Sequence, residues 1–158
     1  MEASPFSLRP ATSDDILSVL ELEKRVHLAP WGEDNFRFEL TKPYSQFLVM
    51  TDDETDEQVA GYIIYWVLFD ECQILNVVVD LPYRGVGMAK KMIRQAAKVA
   101  LQKGIKKISL EVRKSNAAAI QLYQGLHFVI TQVRRNFYSN GEDAYQMTLQ
   151  LDENPIEF

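Results

Sequence analysis

Apolar positions along the chain alternate between two spacings. Met88, Ala89, Met92, Ile93, Ala96, Val99 and Ala100 recur at helical intervals, with Lys90, Lys91, Arg94 and Lys98 on the other side, and Gly104 stops the pattern. Ile16, Leu17, Val19 and Leu20 follow Thr12 and Ser13, either of which can cap a helix whose first turn carries Asp14 and Asp15. Two further helices are predicted over residues 33–40 and 117–124. Between them lie runs rich in β-branched and aromatic residues, which predict strands over 6–9, 47–50, 59–68, 71–79 and 106–112 and a terminal hairpin of 129–137 with 144–151. Val77, Val78 and Val79 form an unbroken β-branched run, expected to be buried on both faces. The resulting order, β-α-α-β-β-β-α-β-α-β-β, predicts a mixed α/β fold with a central sheet and helices on both of its faces.

Size narrows the architecture further. A chain of 158 residues suits a single domain, 1–158, and can bury about two-thirds of its unfolded surface. No apolar run reaches 18 residues and Met1-Glu-Ala-Ser-Pro lacks the features of a signal peptide, so no membrane association and a cytoplasmic location are expected. The single cysteine, Cys72, excludes an intramolecular disulfide and a cysteine metal cluster, and no metal is expected. The net charge of −5 disfavours nonspecific nucleic-acid binding. Asp52, Asp53, Glu54, Asp56 and Glu57 crowd one turn, as a solvated hairpin loop or, alternatively, a lure for a basic substrate.

Candidate chemistry begins at Asp80-Leu-Pro-Tyr-Arg-Gly-Val-Gly-Met-Ala-Lys-Lys91, a glycine loop between the strand at 71–79 and the helix from Met88. Such a junction aims backbone N–H groups and the positive end of a helix dipole outward, which favours a phosphate or pyrophosphate. The chain has no G-x-x-x-x-G-K-[ST] loop, and the dinucleotide pattern G-x-G-x-x-G/A fails at Lys90. Arg84, Gly87 and Ala89 instead match [QR]-x-x-G-x-[GA].

That loop resembles the acyl-CoA pyrophosphate loop of the GNAT N-acetyltransferase family. The run Ile108-Ser-Leu-Glu-Val-Arg-Lys-Ser-Asn-Ala-Ala-Ala-Ile-Gln-Leu-Tyr123 is similar to a signature of the family's RimI branch, the ribosomal-protein N-terminal alanine acetyltransferases. So are Arg134-Arg-Asn-Phe-Tyr138 with Glu142-Asp143-Ala144, and His27-Leu-Ala-Pro-Trp31. The resemblance spans residues 6–151. It implies a mostly antiparallel sheet of about seven strands, with the two central parallel strands splayed where acetyl-CoA enters.

Acyl transfer from a thioester to an amine needs a neutral amine, a held carbonyl, a donor to the developing oxyanion and an acid for the leaving thiolate. The resemblance implies that Val77, Val78 and Val79 offer backbone groups to the pantetheine and thioester. It implies that Arg84, Gly85, Val86, Gly87, Met88, Ala89 and Lys90 cradle the pyrophosphate. Glu111 alternates with Leu110 and Val112 on its strand; it becomes the general base, through water, although a surface pairing with Arg113 or Arg134 would also explain it. Tyr123 becomes the general acid, where a packed aromatic is the plainer reading. Asn116 can cap the helix from Ala117 and contact the cofactor. Trp31 and Tyr138 are expected at the acceptor, although Pro30 and Trp31 also suit a hydrophobic plug between helices. His27 reads as structural.

The acceptor follows from acid-base arithmetic as well as resemblance. At pH 7 about a tenth of a protein α-amine is neutral, against well under about a thousandth of a lysine side chain. A water-linked glutamate suits the α-amine, so the expected partner is a protein N-terminus, such as a ribosomal protein N-terminal Ala, and the protein itself is expected to be a monomer or weak dimer. Acetylation of a lysine or small amine is the alternative within the fold, and a noncatalytic CoA-binding regulatory domain the alternative outside enzymology. The chain departs from the family at His127, where the resemblance expects Gly before Phe128; a positive φ there would strain a histidine. Gly85 and Ala89 also stand where many relatives carry a basic residue and a second Gly.

Overall fold

The computed structural model describes residues 5–27, 30–55 and 58–151. Leu28 and Ala29 of the His27-to-Trp31 motif, Asp56 and Glu57 of the acidic turn and the first four residues lie outside the described residues. Among the described residues there are seven strands, β1 (Phe6–Pro10), β2 (Ser45–Asp52), β3 (Gln58–Leu68), β4 (Glu71–Val79), β5 (Lys107–Arg113), β6 (Val129–Arg134) and β7 (Ala144–Gln150). Four α-helices accompany them, α1 (Ile16–Val26), α2 (Glu33–Thr41), α3 (Met88–Gln102) and α4 (Ala117–Gly125). The sheet order is β1-β2-β3-β4-β5-β7-β6. The fold is the mixed, mostly antiparallel α/β class expected. Parallel pairing between β4 and β5 joins Cys72–Ile74 to Ile108–Leu110, and both strands run on beyond it.

By contact density the chain divides into two compact units, Met1–Trp66 with Asn76–Ile93, and Val67–Leu75 with Arg94–Phe158. In the first, Ile16, Val19 and Leu22 of α1 and Phe36 of α2 are buried with Val49, Met50, Tyr62, Ile63 and Ile64. Phe36 lies edge-on to Tyr62 at 5.6 Å between ring centroids and 6.0 Å from Phe47. Such pairs each add about 0.5–1.5 kcal/mol beyond their burial. In the second unit the buried residues include Ile74, Ala96, Ala97, Ala100, Ile105, Ile108, Leu110, Val112, Phe128, Met147 and Leu149.

Two expectations are corrected. Of the valine run only Val78 is fully buried, whereas Val77 and Val79 are half-buried. A strand sends successive side chains to opposite faces, so one face of this segment packs and the other stays partly open. The first strand of the terminal hairpin ends at Arg134 rather than 137, because Asn136 turns into positive φ (54°) and its N–H donates to Asp143 Oδ1 at 2.9 Å. Along β5 the alternation holds: Ile108, Leu110 and Val112 are buried and Ser109, Glu111 and Arg113 half-buried.

Gly61 is a constraint that composition hides. It follows Ala60, the residue bulged out of the β2–β3 register, and a Cβ on it would stand 2.6 Å from the Val78 carbonyl oxygen and 3.4 Å from Val79 Cα. Backbone cannot swing aside as a side chain can. Gly61→Ala is expected to lower stability by about 1–3 kcal/mol, measured as a shift in urea midpoint; an unchanged midpoint would show that β4 tolerates the displacement.

Candidate active site

In the first unit, β4 leads through Asp80 into a short turn and the glycine loop. Asp80 Oδ1 accepts from Leu81 N at 3.0 Å, and its other oxygen pairs with Arg25 at 3.1 Å. Gly85 and Gly87 both have positive φ (84° and 82°), and a Cβ on either would meet nothing within 4 Å. The glycines therefore serve backbone conformation, and the space before the loop is open. Arg84 turns back to donate from Nε to the Val79 carbonyl at 3.0 Å. Gly85, Val86, Gly87 and Lys90 are exposed, Ala89 half-buried, and Met88 anchors the start of α3 in the core. The first N–H groups of a helix have no acceptors within it. An exposed, glycine-shaped loop running into the start of a 15-residue helix fits the pyrophosphate of an acyl-CoA.

The same unit holds a carboxylate that pattern reading passed over. Glu23 is fully buried on α1. Its Oε1 accepts from the Tyr62 hydroxyl at 2.8 Å and Asn76 Nδ2 at 3.3 Å and lies 2.6 Å from His27 Nδ1; its Oε2 accepts from Trp31 N at 3.0 Å. Asn76 also donates to the Tyr62 hydroxyl oxygen at 2.8 Å. Burial pulls the Glu23 pKa upward, but His27 and the Trp31 N–H outweigh it and hold the carboxyl below its ordinary value. Burial, reinforced by the charge of Glu23, pushes the Tyr62 phenol far up. One sequence signal was available: Glu23 continues the Ile16–Val19 stripe at helical spacing, as an acid among buried apolar residues. His27 thus pairs with a buried carboxylate, and the Trp31 ring lies 5.3 Å from Phe36.

The second unit presents Glu111 from the middle of β5. Its Oε2 accepts from Gln73 Nε2 at 3.1 Å, and Arg134 Nε lies 3.3 Å from Oε1 as an ion pair without hydrogen-bond geometry. The Glu111 side chain is only 14% exposed. Of the two partners foreseen for it, Arg134 is the one found. Arg113 instead pairs with Glu142 at 3.0 Å and stacks over the Tyr138 ring, its Cζ 3.9 Å from the centroid. Burial raises the Tyr138 pKa, and Arg113 opposes that rise while Glu111 and Glu142 reinforce it.

Tyr123 is fixed by both ends of α4. Asn116 caps the helix, its Oδ1 accepting from Ala119 N at 3.1 Å, as expected. At the other end His127 takes positive φ (73°), His127 N donates to Gln124 O and Phe128 N to Tyr123 O, each at 3.0 Å. This is the left-handed cap that glycine usually supplies. It folds Phe128 back against Tyr123, with ring centroids 5.8 Å apart. Burial, helped by the charge of Tyr138, pushes the Tyr123 phenol up, so it keeps its proton at neutral pH.

Residues 16–128 match the model of the acetyltransferase (GNAT) family. The chain belongs to this family. A Bacillus subtilis (strain 168) relative is 35% identical over 149 residues, covering 93% of this chain and 97% of its own. The ribosomal protein bS18-alanine N-acetyltransferase of Escherichia coli (strain K12) is 31% identical over 140 residues, covering 87% and 92%. The crystal structure of the E. coli ribosomal-protein-S18-alanine N-acetyltransferase superposes with a TM-score of 0.80 at 30% identity, over 92% of this chain and 93% of that one. This GNAT protein is an acetyl-CoA-dependent N-acetyltransferase. Among the described residues no helix is long and apolar enough to cross a membrane, and no group of three His, Cys, Asp or Glu is placed to hold a metal.

Two stability measurements follow. Because the Glu23 pKa lies below its unfolded value, ionised Glu23 contributes stability that is full above about pH 4.3 and is lost as pH falls through the lower folded value. Glu23→Gln is expected to cost about 1–3 kcal/mol at pH 7 by leaving buried donors unpaired, and to flatten that acid limb in urea titrations from pH 7 to 3. His127→Gly should do the opposite, raising stability by up to about 1 kcal/mol, since relief of the left-handed histidine exceeds the extra unfolded-state entropy; a lower melting temperature would contradict that.

Proposed function

We propose that this single acetyltransferase domain transfers the acetyl group of acetyl-CoA to the α-amine of a protein N-terminus, a ribosomal protein N-terminal Ala being the favoured acceptor, in the cytoplasm. Glu111 carries the reading: a mostly buried carboxylate on β5 with both oxygens engaged, and two residues further along the same face Arg113 stacks on the ring of Tyr138. Similarity to the E. coli ribosomal protein bS18-alanine N-acetyltransferase over most of both chains supports the choice of acceptor.

Transfer occurs directly, with both substrates bound. Acetyl-CoA supplies an acyl carbon already activated as a thioester. The neutral amine attacks that carbon, the N–C bond forms, and the C–S bond breaks. The excess proton on nitrogen passes through water to Glu111 and then to solvent. Tyr123 donates its hydroxyl proton to the departing sulfur and regains one from solvent to complete the cycle; because burial disfavours the phenolate, the donation accompanies C–S cleavage rather than preceding it. Val77 to Val79 hold the pantetheine arm through backbone groups, the stretch from Arg84 to Lys90 binds the pyrophosphate, and Asn116 adds a cofactor contact to its capping role. Trp31 and Tyr138 border the acceptor.

Two peptides of matched flanking composition test the acceptor, one with a free N-terminal Ala and no lysine, the other N-terminally blocked with one internal lysine. Turnover of the first alone is expected. Glu111→Gln should lower kcat/KM roughly 100- to 10,000-fold and Tyr123→Phe by a smaller factor within that scale. Near-normal turnover by both variants would remove the assigned roles, and acetylation of the lysine peptide alone would exclude the α-amine.

A further inference from the structure

The connection from β6 to β7 carries the Glu142-Asp143-Ala144 motif, which the chemistry above leaves unused. Glu142 draws three segments together. Its Oε1 accepts from Arg113 Nη1 at 3.0 Å, its Oε2 accepts from Ser115 N at 3.0 Å, and its backbone carbonyl accepts from Tyr138 N at 3.1 Å. Asn140 Oδ1 accepts from Glu142 N at 3.0 Å and more loosely from Arg113 Nη1 at 3.4 Å. Asp143 closes the loop on both sides, its carbonyl accepting from Lys114 N at 3.1 Å and its Oδ1 from Asn136 N at 2.9 Å. Both members of the ion pair are mostly shielded, with Arg113 25% and Glu142 21% exposed in their side chains.

We propose that Arg113 and Glu142 are positioning residues for the acceptor: Glu142 orients the guanidinium, and the guanidinium stacks on Tyr138 and fixes its ring on the Glu111 side of β5. The inference rests on the acceptor role proposed for Tyr138. Arg113 lies two residues from Glu111 on the same face of the strand, about 7 Å along it. A planar guanidinium can stack on a ring and pair with a carboxylate at once; an ammonium offers a point charge without the plane. The Glu142 pKa is lowered by hydrogen bonds from Ser115 and Arg113, so Glu142 is ionised at neutral pH and the pair is charged on both sides.

The test is steady-state kinetics with the N-terminal Ala peptide and acetyl-CoA, on folded protein checked by circular dichroism. Arg113→Met and the isosteric Glu142→Gln are expected to raise the acceptor KM roughly 3- to 30-fold, the range that the loss of one stacked cation corresponds to. The KM for acetyl-CoA and kcat should stay near wild type, because Gln73 and Arg134 still hold Glu111. Arg113→Lys should rescue only partly, and Arg113→Met should add little in a Tyr138→Ala background, as expected of coupled groups. If Tyr138→Ala raises the acceptor KM but neither Arg113→Met nor Glu142→Gln does, the clamp is wrong and the acceptor role of Tyr138 stands. If Tyr138→Ala changes nothing, that role fails and the clamp falls with it. Should Arg113→Met not fold, Glu142→Gln alone decides between these outcomes.

Discussion

A carboxylate without access to solvent organises the first unit. Glu23 is buried and ionised, a state that costs several kcal/mol unless every lone pair direction is answered. Its donors come from the residue that ends α1 (His27), the backbone leading into α2 (Trp31), β3 (Tyr62) and β4 (Asn76). Displacing any one of them leaves a charge in apolar surroundings, so the four segments have little freedom to move independently. Asn76 directly precedes Val77 to Val79, and Trp31 is the proposed acceptor contact. One interaction thus sets β4 at Asn76 and the backbone at Trp31.

The second unit solves a similar problem with a strand instead of a helix. Alternation on β5 sends Ile108, Leu110 and Val112 into the core and leaves Ser109, Glu111 and Arg113 on the half-open face. The two charged residues then take different partners: Glu111 meets Gln73 and Arg134, and Arg113 meets Glu142 and the face of Tyr138. Tyr123 reaches its place by a different device, a short helix capped by Asn116 and closed by a left-handed residue that brings Phe128 against its ring. Histidine in that closing position accepts backbone strain to keep the cap.

The sequence by itself determined the order and kind of every α-helix and strand described, because periods of 3.6 and 2 are written directly in the apolar residues. It also marked the glycine loop, the alternation that turns Glu111 away from the core, and the cap at Asn116, since each depends on residues within a few positions of one another. Tertiary structure alone decided the rest. Glu23 collects donors from as far away as Asn76, Gln73 reaches Glu111, and Gly61 admits the Val78 carbonyl. The choice of Arg134 over Arg113 for Glu111, and the half-burial of Val77 and Val79, were equally beyond local pattern. Hydrogen bonds, ion pairs and close backbone approach act over a few ångströms of space whatever the separation along the chain, and periodicity carries no record of which distant segments the fold brings that close.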